Sequence, residues 1–349
     1  MQAYELAIAD LTSILERNQT AAVFRERAHL FRKTDKVTAA LSDLDEVIRR
    51  DPTADDYTFR GWWRLISGRF DNDALLDFEK AIELGNQTAF AYLGRAHLHR
   101  DRGEIQDAIE DYTTVIRLDS EHWATATAYR ERAYLYEKTG NNAAALDDLG
   151  EAIRLVDPDD KKATAAAYRQ RAYLYRKSGD DTAALDDLDE VIRRDPRPAD
   201  YTSRGSWLRD SKQLNKALLD LETGIGLGDH SAFAYLGRAH VHRDRGDTAK
   251  AIDDYTTVIG MEPDDRSAYI NRARLYFDLG KYEAALTDFD QSIRIDPSKP
   301  LYYEERGSCH LTLNDRAAAK KDLMTAASLY YEQGIPEKGK KAYTRALTT

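Results

Sequence analysis

An internal period constrains this chain more than any other feature. An Arg-Ala or Arg-Gly pair recurs nine times, each time with an aromatic residue three positions before the arginine and an alanine about twelve after the small residue. The small residues are Ala28, Gly61, Ala96, Ala133, Ala172, Gly205, Ala239, Ala273 and Gly307, and the last four are spaced by 34 residues. Such self-similarity describes one supersecondary unit copied along the chain.

Each unit reads as two amphipathic helices. In the unit starting at Arg266, Tyr269, Ala273 and Tyr276 recur at helical spacing, Gly280 breaks the pattern, and Ala285, Phe289 and Ile293 resume it until Asp296-Pro297. The small residue lets two helix axes approach, and the aromatic residues fill the space beside it. One such pair cannot bury its apolar faces alone, so the units must stack.

The period, the aromatic and small positions, and closing prolines such as Pro52, Pro196, Pro263 and Pro297 resemble the tetratricopeptide repeat, over residues 21–333. The resemblance implies an all-α fold, a right-handed α-solenoid of stacked antiparallel helix pairs. It divides the chain into a cap or half-repeat helix at 1–20, an array of about nine repeats at 21–333, and a capping helix at 334–349. Within residues 1–18, Ala7, Leu11 and Ile14 match second-helix positions with no first helix before them, as a natural cap or as part of a longer protein.

A second period overlies the first. Residues 24–119 and 168–262 are near copies: AALSDLDEVIRRDP returns as AALDDLDEVIRRDP, and FAYLGRAHLHRDRG as FAYLGRAHVHRDRG. Extra residues around His122 to Thr125 and Asp160 to Thr164 are expected to lengthen the connections. Gly224, Gly226 and Gly228 in a second helix are expected to make a flexible point.

Composition fits an elongated stack, since 32% charged residues and a net charge of −10 suit a fold with much surface per residue. No apolar run is long enough to span a membrane, and the start lacks a signal-peptide pattern. The single cysteine, Cys309, excludes an intramolecular disulfide and a CxxC metal cluster, which fits a cytoplasmic setting. The negative charge and the absence of a continuous basic stripe argue against nucleic acid.

Two charges recur in every unit. Arginines 27, 60, 95, 132, 171, 204, 238, 272 and 306 hold one position, and aspartates 43, 77, 111, 148, 187, 220, 254, 288 and 322 hold another on the second helix. The guanidinium fork suits a carboxylate, so these residues predict a structural ladder.

Function is then sought where the units differ. The resemblance implies that first helices line a concave groove, which places Arg25, His29, Arg32 and Lys33 in it, with Arg130, Tyr134 and Lys138 in the fourth unit. Arg169, Tyr173, Arg176 and Lys177 follow in the fifth. This face reads as basic and aromatic, or as an ordinary solvated face, with Glu131, Glu137, Asp101 and Asp244 diluting the charge. Phe90 and Leu93, their copies Phe233 and Leu236, and Trp62, whose copy is Ser206, are either partner anchors or packing against the next repeat. Trp63 and Trp207 read as core.

The family's carboxylate clamp, a lysine followed by an asparagine, is not matched: Arg25 with His29, Arg130 with Tyr134, and Arg169 with Tyr173 stand there, and Asn271 and Arg274 are fragments of it. His97 with His99, and His240 with His242, are two apart on a helix and point away from each other, so neither pair chelates a metal alone; one histidine of each faces the groove. HExxH, Walker A and GxSxG patterns are absent. The triplets Asn18-Gln19-Thr20 and Asn86-Gln87-Thr88 match glycosylation acceptors at the level of chance.

These residues describe a non-enzymatic, cofactor-free scaffold that receives an acidic or extended protein segment. Other readings are the interaction domain of a larger enzyme or secretion component, and a neutralising partner of one toxin or effector. Uncapped repeat edges leave self-association through the array ends open.

Overall fold

Every Arg-small pair lies mid-helix, and the alanine-led segment after it forms a second helix that returns alongside. The computed structural model describes residues 2–68, 71–85, 89–118, 122–157 and 159–349, with backbone alone for Asp71 and His122. Among the described residues there are twenty α-helices and no strand. The second glycosylation triplet, 86–88, lies outside them.

Contacts divide the chain into two compact units, residues 1–194 and 195–349. In the first, α1 (Gln2–Leu15) precedes five helix pairs: α2 (Ala21–Lys33) with α3 (Val37–Arg50), α4 (Ala54–Ser67) with α5 (Asp71–Glu83), α6 (Ala89–Arg102) with α7 (Ile105–Leu118), α8 (His122–Lys138) with α9 (Asn142–Leu155), and α10 (Lys161–Ser178) with α11 (Asp181–Arg194). In the second, α12 (Pro198–Asp210) pairs with α13 (Leu214–Gly226), α14 (Ala232–Arg245) with α15 (Thr248–Met261), α16 (Arg266–Asp278) with α17 (Tyr282–Ile295), and α18 (Pro300–Thr312) with α19 (Arg316–Glu332), which α20 (Pro336–Thr348) covers.

The core runs along the small positions. Gly94 shows why they are small: a Cβ there would lie 2.3 Å from the ring of Phe78 on α5. Most turns inside the pairs place a glycine in the left-handed region, Gly179 at φ 86° and Gly246 at φ 83° for example. Asp35, Lys212 and Asn314 adopt it without glycine.

The predicted ladder is complete. In all nine repeats, arginine Nε and Nη2 donate to the two oxygens of the paired aspartate, as at Arg27–Asp43, 2.8 and 2.7 Å. The aspartates are at most 5% exposed. Arg132, Arg171 and Arg272 each lie between two tyrosines of their own helix, 5.3 to 5.9 Å from the ring centres. In at least five repeats the remaining nitrogen, Nη1, reaches the preceding second helix, at Thr12, Asp45, Thr113, Thr256 or Asp290. One side chain thus ties a repeat together and fixes its register on the one before.

One expectation is corrected, and a second is corrected at one of its three residues. The extra residues near 122–125 and 160–164 extend helices instead of connections: α8 has 17 residues and α10 has 18, against 13 for α2 and α12. Of the three glycines expected to loosen α13, Gly224 is a close-packing residue, since a Cβ there would meet Thr202 Oγ1 at 2.6 Å and the Pro198 carbonyl at 2.9 Å, whereas a Cβ at Gly226 or Gly228 would meet nothing within 4 Å.

Candidate functional site

The first helices carry the variable residues, and the structure pairs many of their charges with the next repeat. Arg25 donates through Nε and Nη2 to Asp56 at 2.7 and 2.8 Å. Asp56 also accepts from Thr53 at the start of α4, completing a capping box. Burial would raise the Asp56 pKa, but the bonds from Arg25 and Thr53 outweigh it and hold the carboxyl below its ordinary range. Arg25 therefore docks one repeat on the next. His29 and Arg32 stay exposed and share a shallow cleft of about 290 Å3 with Arg25, Phe59 and Trp63.

The same logic recurs further along the first unit. Arg100 and Arg130 both donate to Glu131, at 2.6 and 2.8 Å. Burial raises the Glu131 pKa, and the two arginines more than offset this, so it stays ionised. In the second unit Arg243 donates to Asn271 at 2.8 Å, Arg209 to Asp244 at 2.8 Å, and Arg274 to both oxygens of Glu305. Arg176 is held by Asp181 at 2.6 Å. Arg169 also has an interaction within the chain. The basic face expected from residue counts is to this extent internally neutralised.

Apolar candidates separate into two groups. Leu93 is 1% exposed and belongs to the core around Tyr112, so its placement on an open groove is corrected. Trp62 packs edge-on against Phe78 and His97 and donates Nε1–H to the Phe90 carbonyl at 3.1 Å, which makes it a repeat-to-repeat joint. Phe90 is half-buried against Trp123, with ring centres 5.3 Å apart. Leu236 is half-buried on the core around Tyr255. By contrast Tyr134, Tyr173 and Phe233 are 38%, 55% and 55% exposed.

His97 and His240 sit half-buried against Tyr112 and Tyr255. Burial, reinforced by nearby arginines, lowers both imidazoles to a pKa of about 4. The histidines two residues on turn elsewhere, His99 to Glu104 and His242 to Asp247 at 3.3 Å, and in a later repeat His310 lies 3.9 Å from Asp315. His99, Glu104 and Asp107 lie close enough to suggest a cation site. The recurrence of the same histidine-to-carboxylate contact across three turns makes it a lock between paired helices.

Two open clefts meet at Arg130. One, of about 400 Å3, is lined by Arg100, Arg130, Glu131, Tyr134 and Gln170. Within this neighbourhood Gln170 Nε2, His97 Nε2 and Tyr112 Oη are buried with no hydrogen-bond partner among the described residues. The other, of about 760 Å3, lies between the lengthened α8 and α10, with Trp123 on its wall and Ala126, Ala152, Ala163 and Ala167 among its lining. Sequence reasoning missed this second cleft. Its signal was the extra residues that form additional helical turns.

Comparison with known proteins agrees with this architecture. The tetratricopeptide repeat family model matches residues 93–161 and 236–300. The chain contains tetratricopeptide repeats. It is similar to the tetratricopeptide repeat protein 36 homolog of Nematostella vectensis, 40% identical over 73 residues, covering 21% of this chain and 40% of that protein. The human tetratricopeptide repeat protein 13 is 27% identical over 114 residues, 32% of this chain and 13% of that one. The chain therefore spans less than half the length of either curated relative it matches. A solved tetratricopeptide repeat protein from Parabacteroides merdae superposes with a TM-score of 0.54 at 21% identity, over 74% of this chain and 100% of that chain. No described helix is long and apolar enough to cross a membrane.

Proposed function

We propose that this repeat protein is a non-enzymatic scaffold that receives an extended protein segment along its first-helix face. The observation that supports this most is the exposure of Tyr134 and Tyr173 at one repeat position in adjacent repeats, with Tyr134 lining a cleft together with Arg100, Arg130 and Gln170. Exposed tyrosine rings offer a partner contact area, and their hydroxyls a directional bond. Arg130 contributes a guanidinium whose charge Glu131 shares, so the segment is selected by stacking and hydrogen bonding more than by net charge. Arg169, His29, Arg32 and Phe233 extend the surface within their own units.

The test compares capture from native lysate by wild type, by Tyr134→Ala/Tyr173→Ala, and by Glu110→Ala on a second helix. A protein retained by wild type and Glu110→Ala but lost by the tyrosine variant supports this face. Equal capture by all three would move the site away from the first helices.

A further inference from the structure

The cleft between α2 and α4 combines free donors with exposed aromatic surface. Arg25 and Asp56 are spent on each other there. Helical spacing puts His29 and Arg32 on the same face of α2 as Arg25, with Glu26 at its edge. Both are exposed and have no partner among the described residues. The duplicated block supplies the comparison: Arg176, the copy of Arg32, is held by Asp181 at 2.6 Å, but Val37 stands where Asp181 does, so the Arg32 guanidinium stays free. On α4, Phe59 is 48% exposed, and its copy is Ser203. Trp63 follows one turn later, half-buried, and its indole N–H has no acceptor among the described residues. Buried Ala28 and Leu44 complete the lining. α1 packs against α2 on one side of this joint and α4 follows it on the other, so the cleft is internal to the stack and not an end of it.

We propose that this cleft receives one aromatic side chain of the extended partner segment, flanked in that segment by an acidic residue. The proposal rests on the scaffold reading above and names what this part of the face selects. Phe59 and Trp63 offer rings to stack on, and the Arg32 guanidinium attracts both an aromatic face and a carboxylate. The Trp63 N–H is a second donor for the same segment. A volume of about 290 Å3 falls just below the range of about 300–1,000 Å3 that small-molecule pockets occupy, which suits a single side chain. Ring and charge select together: an aliphatic side chain forgoes the stacking, and a lysine beside the ring meets Arg32 with like charge.

The probe is a terminally blocked peptide, Gly-Glu-Trp-Glu-Gly, titrated into the full chain by calorimetry at low salt. Saturable binding is expected. Phe59→Ser, which installs the residue of the second block, should weaken it about fivefold, the scale of one lost aromatic contact. Val37→Asp changes no cleft residue and supplies the carboxylate that Arg176 has; it should weaken binding about two- to fivefold. Arg32→Glu should lose this peptide and accept Gly-Lys-Trp-Lys-Gly, a rescue that a folding defect would not produce. Absence of saturable binding, or equal affinity for wild type, Phe59→Ser and Arg32→Glu, overturns the proposal. Equally tight binding of N-acetyltryptophan would make the cleft a small-molecule pocket and overturn the segment assignment. Tyr134→Ala/Tyr173→Ala should leave the peptide's affinity unchanged. Loss in that variant, with the cleft variants unaffected, would put the peptide on the tyrosines, so that the scaffold reading stands while this proposal falls.

Discussion

Arg132 shows how much a single ladder residue carries. Its fork closes on Asp148, its third nitrogen reaches Thr113 on the preceding second helix, and Tyr129 and Tyr136 flank the guanidinium. Arg132→Ala leaves the Asp148 carboxylate 5% exposed and without its arginine. The expected loss is about 2–4 kcal/mol, toward the lower side of a fully buried pair because part of the arginine still meets solvent. Urea unfolding followed by circular dichroism measures it, and an unchanged midpoint would refute the ladder as a stabilising device. His97 makes the complementary case, a group that folds in its neutral form among Arg100, Arg130, Glu131, Asp101 and Tyr112. Burial holds its folded pKa at about 4, below the ordinary imidazole value of 6.5, so as pH falls the unfolded chain takes up the proton first. Its contribution is intact above about pH 6.5 and is lost as pH falls toward 4, on the order of 3 kcal/mol in all. Stability of wild type should therefore fall more steeply than that of His97→Phe between pH 6.5 and 5, and parallel curves would contradict this. The ladder was legible in sequence because both partners recur at fixed positions in all nine units. The Arg100–Glu131 pair was not, because its acceptor position is filled differently in other units, by Asn271 opposite Arg243; Arg25 and Asp56 recur only in the longer period, as Arg169 and Asp200, so the 34-residue period does not mark them.

At the scale of helices, close approach sets what each position tolerates. Alanine is the better helix former, worth about 1 kcal/mol over glycine. At position 94 that gain loses to the Phe78 ring, 2.3 Å from where the new Cβ would stand. Gly94→Ala is expected to cost about 1–3 kcal/mol net. The chain carries its own control, since the copy of this contact pairs Gly237 with Leu221, whose nearest side-chain atom leaves 3.0 Å. Adding Phe78→Leu to Gly94→Ala should return part of the loss, with a coupling above about 0.5 kcal/mol in a double-mutant cycle. Strict additivity would show that the ring is not the obstacle. The helix pairs and their order were readable because apolar spacing, breaker and small residue all agree within each unit. The inserted residues before Arg130 and Arg169 were not: added length alone does not distinguish a longer loop from an extra helical turn, and here alanines and a buried Thr164 favour the turn. Leu93 was misplaced for a related reason. A template position assigns it to the groove, whereas the close approach of α6 to its neighbours, allowed by Gly94, closes over it.

For the whole molecule, the duplicated blocks and the compact units follow different boundaries. The second copy begins at residue 168, inside the first unit, while the contact division falls at 194/195. Ancestry therefore does not set where the chain coheres; nearest-neighbour packing does, because each repeat gains stability mainly from the repeats on either side of it. The first unit holds five complete pairs after α1, and the second holds four before α20. Each exceeds the roughly three repeats a stack needs for independent stability. Each also buries its own set of ladder pairs and ends on a helix whose apolar residues face inward: Ala184, Leu188 and Val191 on α11, Ala342 and Ala346 on α20. Fragments 1–194 and 195–349, expressed separately, are thus expected to be helical, with a signal per residue at 222 nm matching the intact chain, and to unfold cooperatively. A fragment that remained unstructured alone would show that its core depends on residues beyond its own stack, and the nearest-neighbour account of this molecule would fail at that point.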